Sequence, residues 1–486
     1  MSTILSSRVA VASMLAATFS LSACAAPDLG PRPEMRAPAN LGSGRSLQSS
    51  DASAAWPREQ WWKAYGDPQL DALVDEALAN SPSVAMAEAR IRQARGVAQV
   101  TGAQGLPSLG GQASAGVTKQ TYNNGMQKGF ALQGWNSTGT LALSGEFDLD
   151  LWGRARNALA AATSDEMAAM ADARQAQLML SSNVVSSYFD LARLVERGKA
   201  LGEAVKAREA MVDLTEQRVR QGLENESPLH QAQAAAAQAR VALSANQEEE
   251  LLRRHALAAL LGAGPDRGLE IAAPAIDAIA ETPVPADAGI ALAGRRPDIL
   301  AARLRAEAAA SRIDEARAAY LPDISLSGLI GLTSIGLSNL IDSGSKYGNA
   351  GGALSLPIFQ GGRLKGQFTQ ARGGYDAAVA NYNDTVVGAL RDVADSLASR
   401  EAAAQQEKDA RQAREQSEAA YDIALKRYRG GLSNYLEALT TETAALQART
   451  SAVDAHFRTL AYEVALKRAL GGGFEDNSSE KAPDNE

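Results

Sequence analysis

The sequence predicts a mainly helical protein that carries membrane-type β-strands, built as duplicated long helical hairpins with four β-strands per subunit. Three observations carry this reading. Short motifs recur at a fixed spacing. Two long proline-free runs are rich in Ala, Gln, Glu, Arg, Leu and Met, all strong helix formers. Residues 139–152 alternate in polarity with a period of two, the signature of a strand with two unlike faces.

The recurrence comes first, because a missed repeat mis-assigns the whole fold. Gly153-Arg154 returns as Gly362-Arg363, the stretch Gln217 to Gly222 as Lys426 to Gly431, and Leu261-Gly262 as Leu470-Gly471, each 209 residues on. Upstream, Ser81-Pro82 matches Arg296-Pro297 and Leu106-Pro107 matches Leu321-Pro322, both 215 residues on. The six-residue difference is an insertion in the first copy, between about Ser108 and Trp152. Two copies with so long a period are a duplicated half, not a solenoid.

The elements follow in order. Residues 1–23 have the charge, apolar run and small residues of a secretory signal, too short to span as a membrane helix. Leu21-Ser22-Ala23-Cys24 resembles a bacterial lipobox, which makes Cys24, the one cysteine of the chain, the predicted lipidation site. Ala25 follows it rather than Asp, which by the same resemblance permits sorting to the outer membrane. Residues 24–55 read as a flexible lipid-anchored leader. The first repeat is 56–263: packing anchors Trp56, Trp61 and Trp62, a helix over about 67–103, strands at 107–119 and 139–152 around a Gly/Asn-rich loop, a long helix over 154–221 with a seam of Val184, Tyr188, Leu191 and Val195, and a helix over 227–261. A Pro/Ala-rich connector spans 264–285, placed in an equatorial belt. The second repeat, 286–473, has a helix over 286–320, strands at 322–334 and 348–359, a long helix over 362–429 and a last helix over 433–470. The tail, 474–486, is predicted to be disordered.

Composition excludes several classes. A net charge of −8 argues against nucleic-acid binding. His230, His255 and His456 have no close metal-ligand spacing, and there is no P-loop, Gly-x-Ser-x-Gly or His-Glu-x-x-His. The expectation is no enzyme, no metal and no cofactor beyond a lipid on Cys24.

At about 1.5 Å per residue each long helix is about 100 Å long, and the shorter helices, taken in pairs, match it. That suggests four columns, two continuous and two broken at mid-height. Four strands cannot close a barrel, and an open edge cannot face lipid. Either the strands form a small soluble sheet or several subunits pool them. The alternation of 139–152 favours pooling, and three subunits supply a twelve-stranded barrel continued by a helical tunnel. In such a barrel Glu146, Asp148 and Asp150 point into the lumen.

Several stretches resemble the TolC-type outer-membrane factors, in their NodT-like lipoprotein branch. These are Phe147-Asp148-Leu149-Asp150-Leu151-Trp152-Gly153-Arg154, Arg295-Arg296-Pro297-Asp298-Ile299, Leu356-Pro357-Ile358-Phe359-Gln360-Gly361-Gly362-Arg363, and Arg427-Tyr428-Arg429-Gly430-Gly431 with Asn434-Tyr435-Leu436. The resemblance runs from the lipobox to about Gly473. It implies a homotrimeric β-barrel and α-helical periplasmic tunnel, lipid-anchored in the outer membrane and projecting into the periplasm. It implies the passive exit duct of a tripartite efflux pump, with a periplasmic adaptor and an inner-membrane RND-type pump as partners. It places the adaptor at the hairpin tips, with Arg218, Arg220, Gly222, Arg427, Tyr428, Arg429, Gly430 and Gly431 as tip locks or contacts. It places a closed aperture at the inner helix of the second copy. Leu436 matches the apolar constriction. Thr440 stands where the family has an acid, and Glu437 and Glu442 are the nearby carboxylates that would supply a ring. The same fold serves type I protein secretion, which stays open as a second reading. A periplasmic adaptor, with one hairpin framed by split lipoyl halves, and a lipid-anchored coiled-coil tether without a pore are the readings from other classes.

Overall fold

The computed structural model describes residues 27–47, 55–121, 123, 133–274, 285 and 288–476. The signal, Cys24, most of the loop between the first two strands, most of the connector and the end of the tail lie outside the described residues. In chain order the elements are α1 (Pro68–Asn80), α2 (Pro82–Ala103), β1 (Ser108–Thr118), β2 (Asn136–Leu149), α3 (Arg154–Arg220), α4 (Glu226–Leu260), the short α5 (Asp266–Leu269), α6 (Ala288–Arg295), α7 (Pro297–Ala318), β3 (Asp323–Ile335), β4 (Lys346–Ser355), α8 (Arg363–Arg429) and α9 (Tyr435–Ala469).

The repeat is preserved in the helices. Both long helices have 67 residues and both helices after the turns have 35. Their bounds differ by the same 209 residues that separate the sequence motifs, and α2 and α7, with 22 residues each, by 215. The duplicated hairpins and the sheet rule out the single-hairpin architecture of an adaptor.

Two expected helices are broken. The segment 67–103 divides at Ser81, and 286–320 divides at Arg296. In both a proline follows the break and opens the next helix. Proline has no N–H to give and pushes the residue before it out of the helical region, and Ser81 is extended, with ψ at 129°. The strands also shift. β2 runs from Asn136 to Leu149 rather than 139–152, and β4 stops at Ser355.

The chain forms two units. One comprises Ile91–Ala168 and Ala302–Asn381 with the start of the chain, and holds the sheet. The sheet is an antiparallel meander in the order β1-β2-β3-β4, so the two predicted hairpins join through β2 and β3. A small core of Ile313, Tyr320 and Phe368 lies among the helices of this unit. The other unit comprises Arg36–Arg90, Ala169–Ala301 and Tyr382–Glu486. Its core gathers Trp61 and Trp62, the α1 face of Leu70, Leu73, Val74 and Ala77, and the α3 seam of Val184, Tyr188 and Leu191, all predicted to pack. Asp67 caps α1 and accepts the Tyr188 hydroxyl at 2.5 Å, which ties that helix start to α3.

The segment expected to be a flexible leader is docked over its described part. The buried guanidinium of Arg372 on α8, paired with Asp376 at 2.8 Å, donates to the carbonyls of Gly30 and Pro31. The Tyr375 hydroxyl donates to Pro33 O at 3.2 Å, and Arg32 lies over the Tyr375 ring. In the other unit Leu47 is buried and Arg36 N donates to Asn383 at 2.8 Å. Prolines keep this stretch extended, so its carbonyls are open to such donors.

Candidate functional site

Two places carry functional chemistry: the hairpin turns and the sheet. The first turn joins α3 to α4. Gly222 is left-handed, with φ at 73°. Its N–H donates to Val219 O at 2.9 Å, and Leu223 N donates to Arg218 O at 2.9 Å. That is a Schellman ending, which only glycine enters without strain. Asn225 then caps α4 by accepting from Ser227 N. The second turn repeats the glycine and leucine steps with Gly431 and Leu432, and Asn434 caps α9 by accepting from Glu437 N at 2.9 Å, one residue further on than in the first turn. A Schellman motif commonly folds its last apolar residue back onto the helix. Here Leu223 and Leu432 remain 61% and 75% exposed, so both turns present a leucine outward.

The side chains behind the turns are not repeated. Tyr428 is fully buried on α8, packed edge-on against Tyr435. Its hydroxyl lies 3.0 Å from Glu224 Oε2 and 3.2 Å from Thr215 Oγ1. Arg218 Nε donates to the other Glu224 oxygen at 3.2 Å, and its guanidinium covers the Tyr428 ring at 5.1 Å. Arg218, Glu224, Tyr428 and Thr215 therefore form one network that fastens the first turn to α8. Burial, and then the Glu224 hydrogen bond and charge, hold the Tyr428 phenol above its ordinary pKa, although Thr215 opposes this. Burial pushes Tyr435 up to about 12. Both remain neutral hydroxyls at any ordinary pH.

The other predicted tip arginines have different places. Arg220 makes a loose exposed pair with Glu216 at 3.7 Å, and Arg427 reaches Leu432 O and stands 3.9 Å from Glu437. Arg429 is exposed. Arg218 alone joins the network. Arg220, Arg427 and Arg429 complement the negative end of their helices. Gly430 precedes the left-handed Gly431 as part of the second Schellman ending.

Glu442, expected near the aperture, is instead buried. It takes a bidentate pair from Arg208, Nη2 to Oε2 at 2.9 Å and Nε to Oε1 at 3.2 Å, with Nε also 3.0 Å from Oε2. Arg208 Nη1 donates to Ala235 O, so one guanidinium joins α3, α4 and α9. A carboxylate so committed cannot line an opening. Leu436, Glu437 and Thr440 do stay exposed on α9, and Leu436, Thr440 and Thr443 follow helical spacing along one stripe.

In the sheet, paired residues share a face. One face carries Leu109, Leu141, Leu143, Phe147, Leu326, Ile330, Leu332 and Leu354. The other carries Ser108, Gln112, Thr140, Ser144, Glu146, Asp148, Thr333 and Asn349, with Leu329, Ile335 and Tyr347 among them, while Lys346 stands at the end of the apolar face. Leu141, Leu143, Ile330 and Leu354 are at least half exposed. Glu146 and Asp148 thus sit on the polar face, as predicted. Asp150 does not, because the strand has ended. It caps α3, accepting from Ala155 N and Arg156 N and pairing with Arg156 Nε at 3.2 Å. The same reading missed Asp323, which shares the polar face at the start of β3. It also missed Glu224, Thr215 and Arg208, whose partners are too distant in sequence to be inferred from spacing.

A sheet predominantly apolar on one face and predominantly polar on the other, attached to duplicated helical hairpins, defines a membrane channel subunit of the helical-tunnel, β-barrel class. The chain belongs to the outer membrane efflux protein family, whose model matches residues 73–263 and 291–472, one block per repeat. It is 29% identical to the multidrug resistance outer membrane protein MdtP of Escherichia coli (strain K12), covering 96% of this chain and 97% of MdtP. It is 31% identical to the outer membrane protein OprJ of Pseudomonas aeruginosa, covering 86% and 87%. Among solved structures, the outer membrane protein VceC from Vibrio cholerae superposes with a TM-score of 0.81 at 42% identity, covering 86% of this chain and all of VceC. The outer-membrane channel OprN superposes at 0.82 with 28% identity, covering 93% and 99%. The chain is an efflux channel of the outer membrane.

Proposed function

We propose that three copies of this chain pool their strands into one twelve-stranded barrel and act as the passive exit duct of a tripartite efflux pump. The observation that carries the reading is the open sheet. Among the described residues β1 and β4 each have one strand partner, so each leaves an edge of unpaired N–H and C=O groups beside a lipid-type apolar face. Such edges cannot stand in hydrocarbon. Closure by further copies satisfies them and turns Glu146, Asp148 and Asp323 into the lumen. The lipobox supports a lipid on Cys24 as a second anchor. The likeness to MdtP, a multidrug resistance protein, supports small molecules as cargo, and the motif resemblance supports an adaptor with an RND-type inner-membrane pump as partners. The exposed Leu223 and Leu432, beside Gly222 and Gly431, are the surface offered to the adaptor. The Arg218–Glu224–Tyr428–Thr215 network is the lock of the closed tip, and Leu436, Glu437 and Thr440 line its aperture. The channel has no catalytic role.

Purified protein in planar bilayers tests this. The expected result is discrete channels that prefer cations, with the preference reduced in Glu437→Gln. Wild-type protein that stays monomeric and opens no channel overturns the duct. Unchanged selectivity in Glu437→Gln removes that carboxylate from the aperture.

A further inference from the structure

The strand-to-helix turns hold a feature that neither channel closure nor adaptor docking uses. Each long helix opens with a basic pair at the same repeat position: Arg154 and Arg156 on α3, Arg363 and Lys365 on α8. Neither first turn contains an acid. The macrodipole disfavours cations at that end, so helix stability does not explain the choice in either copy. All four side chains are exposed. Arg156 is committed to Asp150. Arg363 reaches only neutral amide oxygens, those of Gln360 and Gln367. Among the described residues no carboxylate pairs with Arg154, Arg363 or Lys365. The acids that line a groove with Arg154 are Asp165, already taken by Arg312, and Glu315.

Immediately before the basic pairs the chain exposes large apolar groups. Trp152 is 49% exposed and Phe359 88%, flanked by Leu151 and Ile358. Trp152 is fixed in place, its Nε1 donating to Pro322 O at 2.7 Å. The order along both crossings is therefore apolar strand face, then exposed aromatic and aliphatic groups, then cations. That is the order of hydrocarbon, interface and head group across one leaflet.

We infer that the two strand-to-helix turns form a collar that binds anionic phospholipid. Trp152 and Phe359 lie at the interface, and Arg154, Arg363 and Lys365 hold the head-group phosphates. The occupant follows from charge complementarity and from continuity with the apolar face of the sheet. The inference rests on that sheet being the membrane-spanning part.

The test uses full-length protein, wild type and the triple variant Arg154→Gln/Arg363→Gln/Lys365→Gln. Each is reconstituted in vesicles of phosphatidylcholine with phosphatidylglycerol, re-extracted in mild detergent, and assayed for retained lipid by mass spectrometry. Wild type should retain phosphatidylglycerol in preference. The triple variant should lose that preference by on the order of tenfold or more, given the contribution expected per basic residue at a charged membrane surface. Arg363→Lys, which keeps the charge, should behave as wild type. Equal phosphatidylglycerol retention by wild type and triple variant overturns the collar. So does displacement of the lipid by inorganic phosphate, which marks a plain anion site. Wild-type protein that fails to enter the vesicles overturns the reading of the sheet instead.

Discussion

The two hairpin turns share a backbone and differ in chemistry. Residue for residue, 209 apart, both have a left-handed glycine, an outward leucine and an asparagine cap. Yet Glu224 in the first copy corresponds to Ser433 in the second, Tyr428 in the second to Val219 in the first, and Thr215 in the first to Ala424 in the second. The polar network exists only because each copy contributes what the other lacks. Arg208 and Glu442 follow the same rule, since their repeat partners are Ser417 and Gln233, neither of which carries a charge. Duplication supplied a tip geometry twice, and divergence then tied the two tips together.

The largest effect is expected at that buried pair. Glu442→Ala leaves the Arg208 guanidinium buried without a counter-charge, so denaturant titration should show a loss of about 3–5 kcal/mol. A loss below about 1 kcal/mol would mean that the pair is surface-like and that divergence there is neutral drift. Tyr428→Phe removes the hydroxyl from Glu224 and Thr215. It should cost about 1.5–3 kcal/mol, the range for hydrogen bonds to charged groups, and raise leak conductance in bilayers. Conductance identical to wild type would reduce the network to packing. The smallest effect sharpens the shared half of the comparison. Asn225→Ala and Asn434→Ala should each cost about 1 kcal/mol, and nearly equally, because both do the same capping work. A marked inequality in thermal melts would show that the turns differ in backbone energetics too.

Much of this was legible in the sequence because helix ends have local chemistry. The Gly222 and Gly431 stops and the repeat spacing set the hairpins to within about two residues, and the alternation in β2 gave the two faces of the sheet. What stayed hidden depended on distant partners. Asp150 read as one more alternating acid until the strand ended one residue before it. Glu442 read as an aperture carboxylate because nothing near it in sequence announces Arg208. The breaks at Ser81 and Arg296 were legible in principle, since each precedes a proline. There the helical periodicity on both sides outweighed the punctuation. At Arg296 the break has a further occupant: its buried guanidinium pairs with Asp298 at 2.6 Å and donates to Ala469 O, near the end of α9.

The docked leader has a consequence for reach. With Gly30 held by Arg372, five residues lie between the clamp and Cys24, and a chain of that length extends at most about 20 Å. A lipid added at Cys24, as proposed above, would lie within that distance of Gly30. Freed from the clamp, the same leader would let that group roam far more widely. The arginine thus converts a long tether into a fixed mooring point.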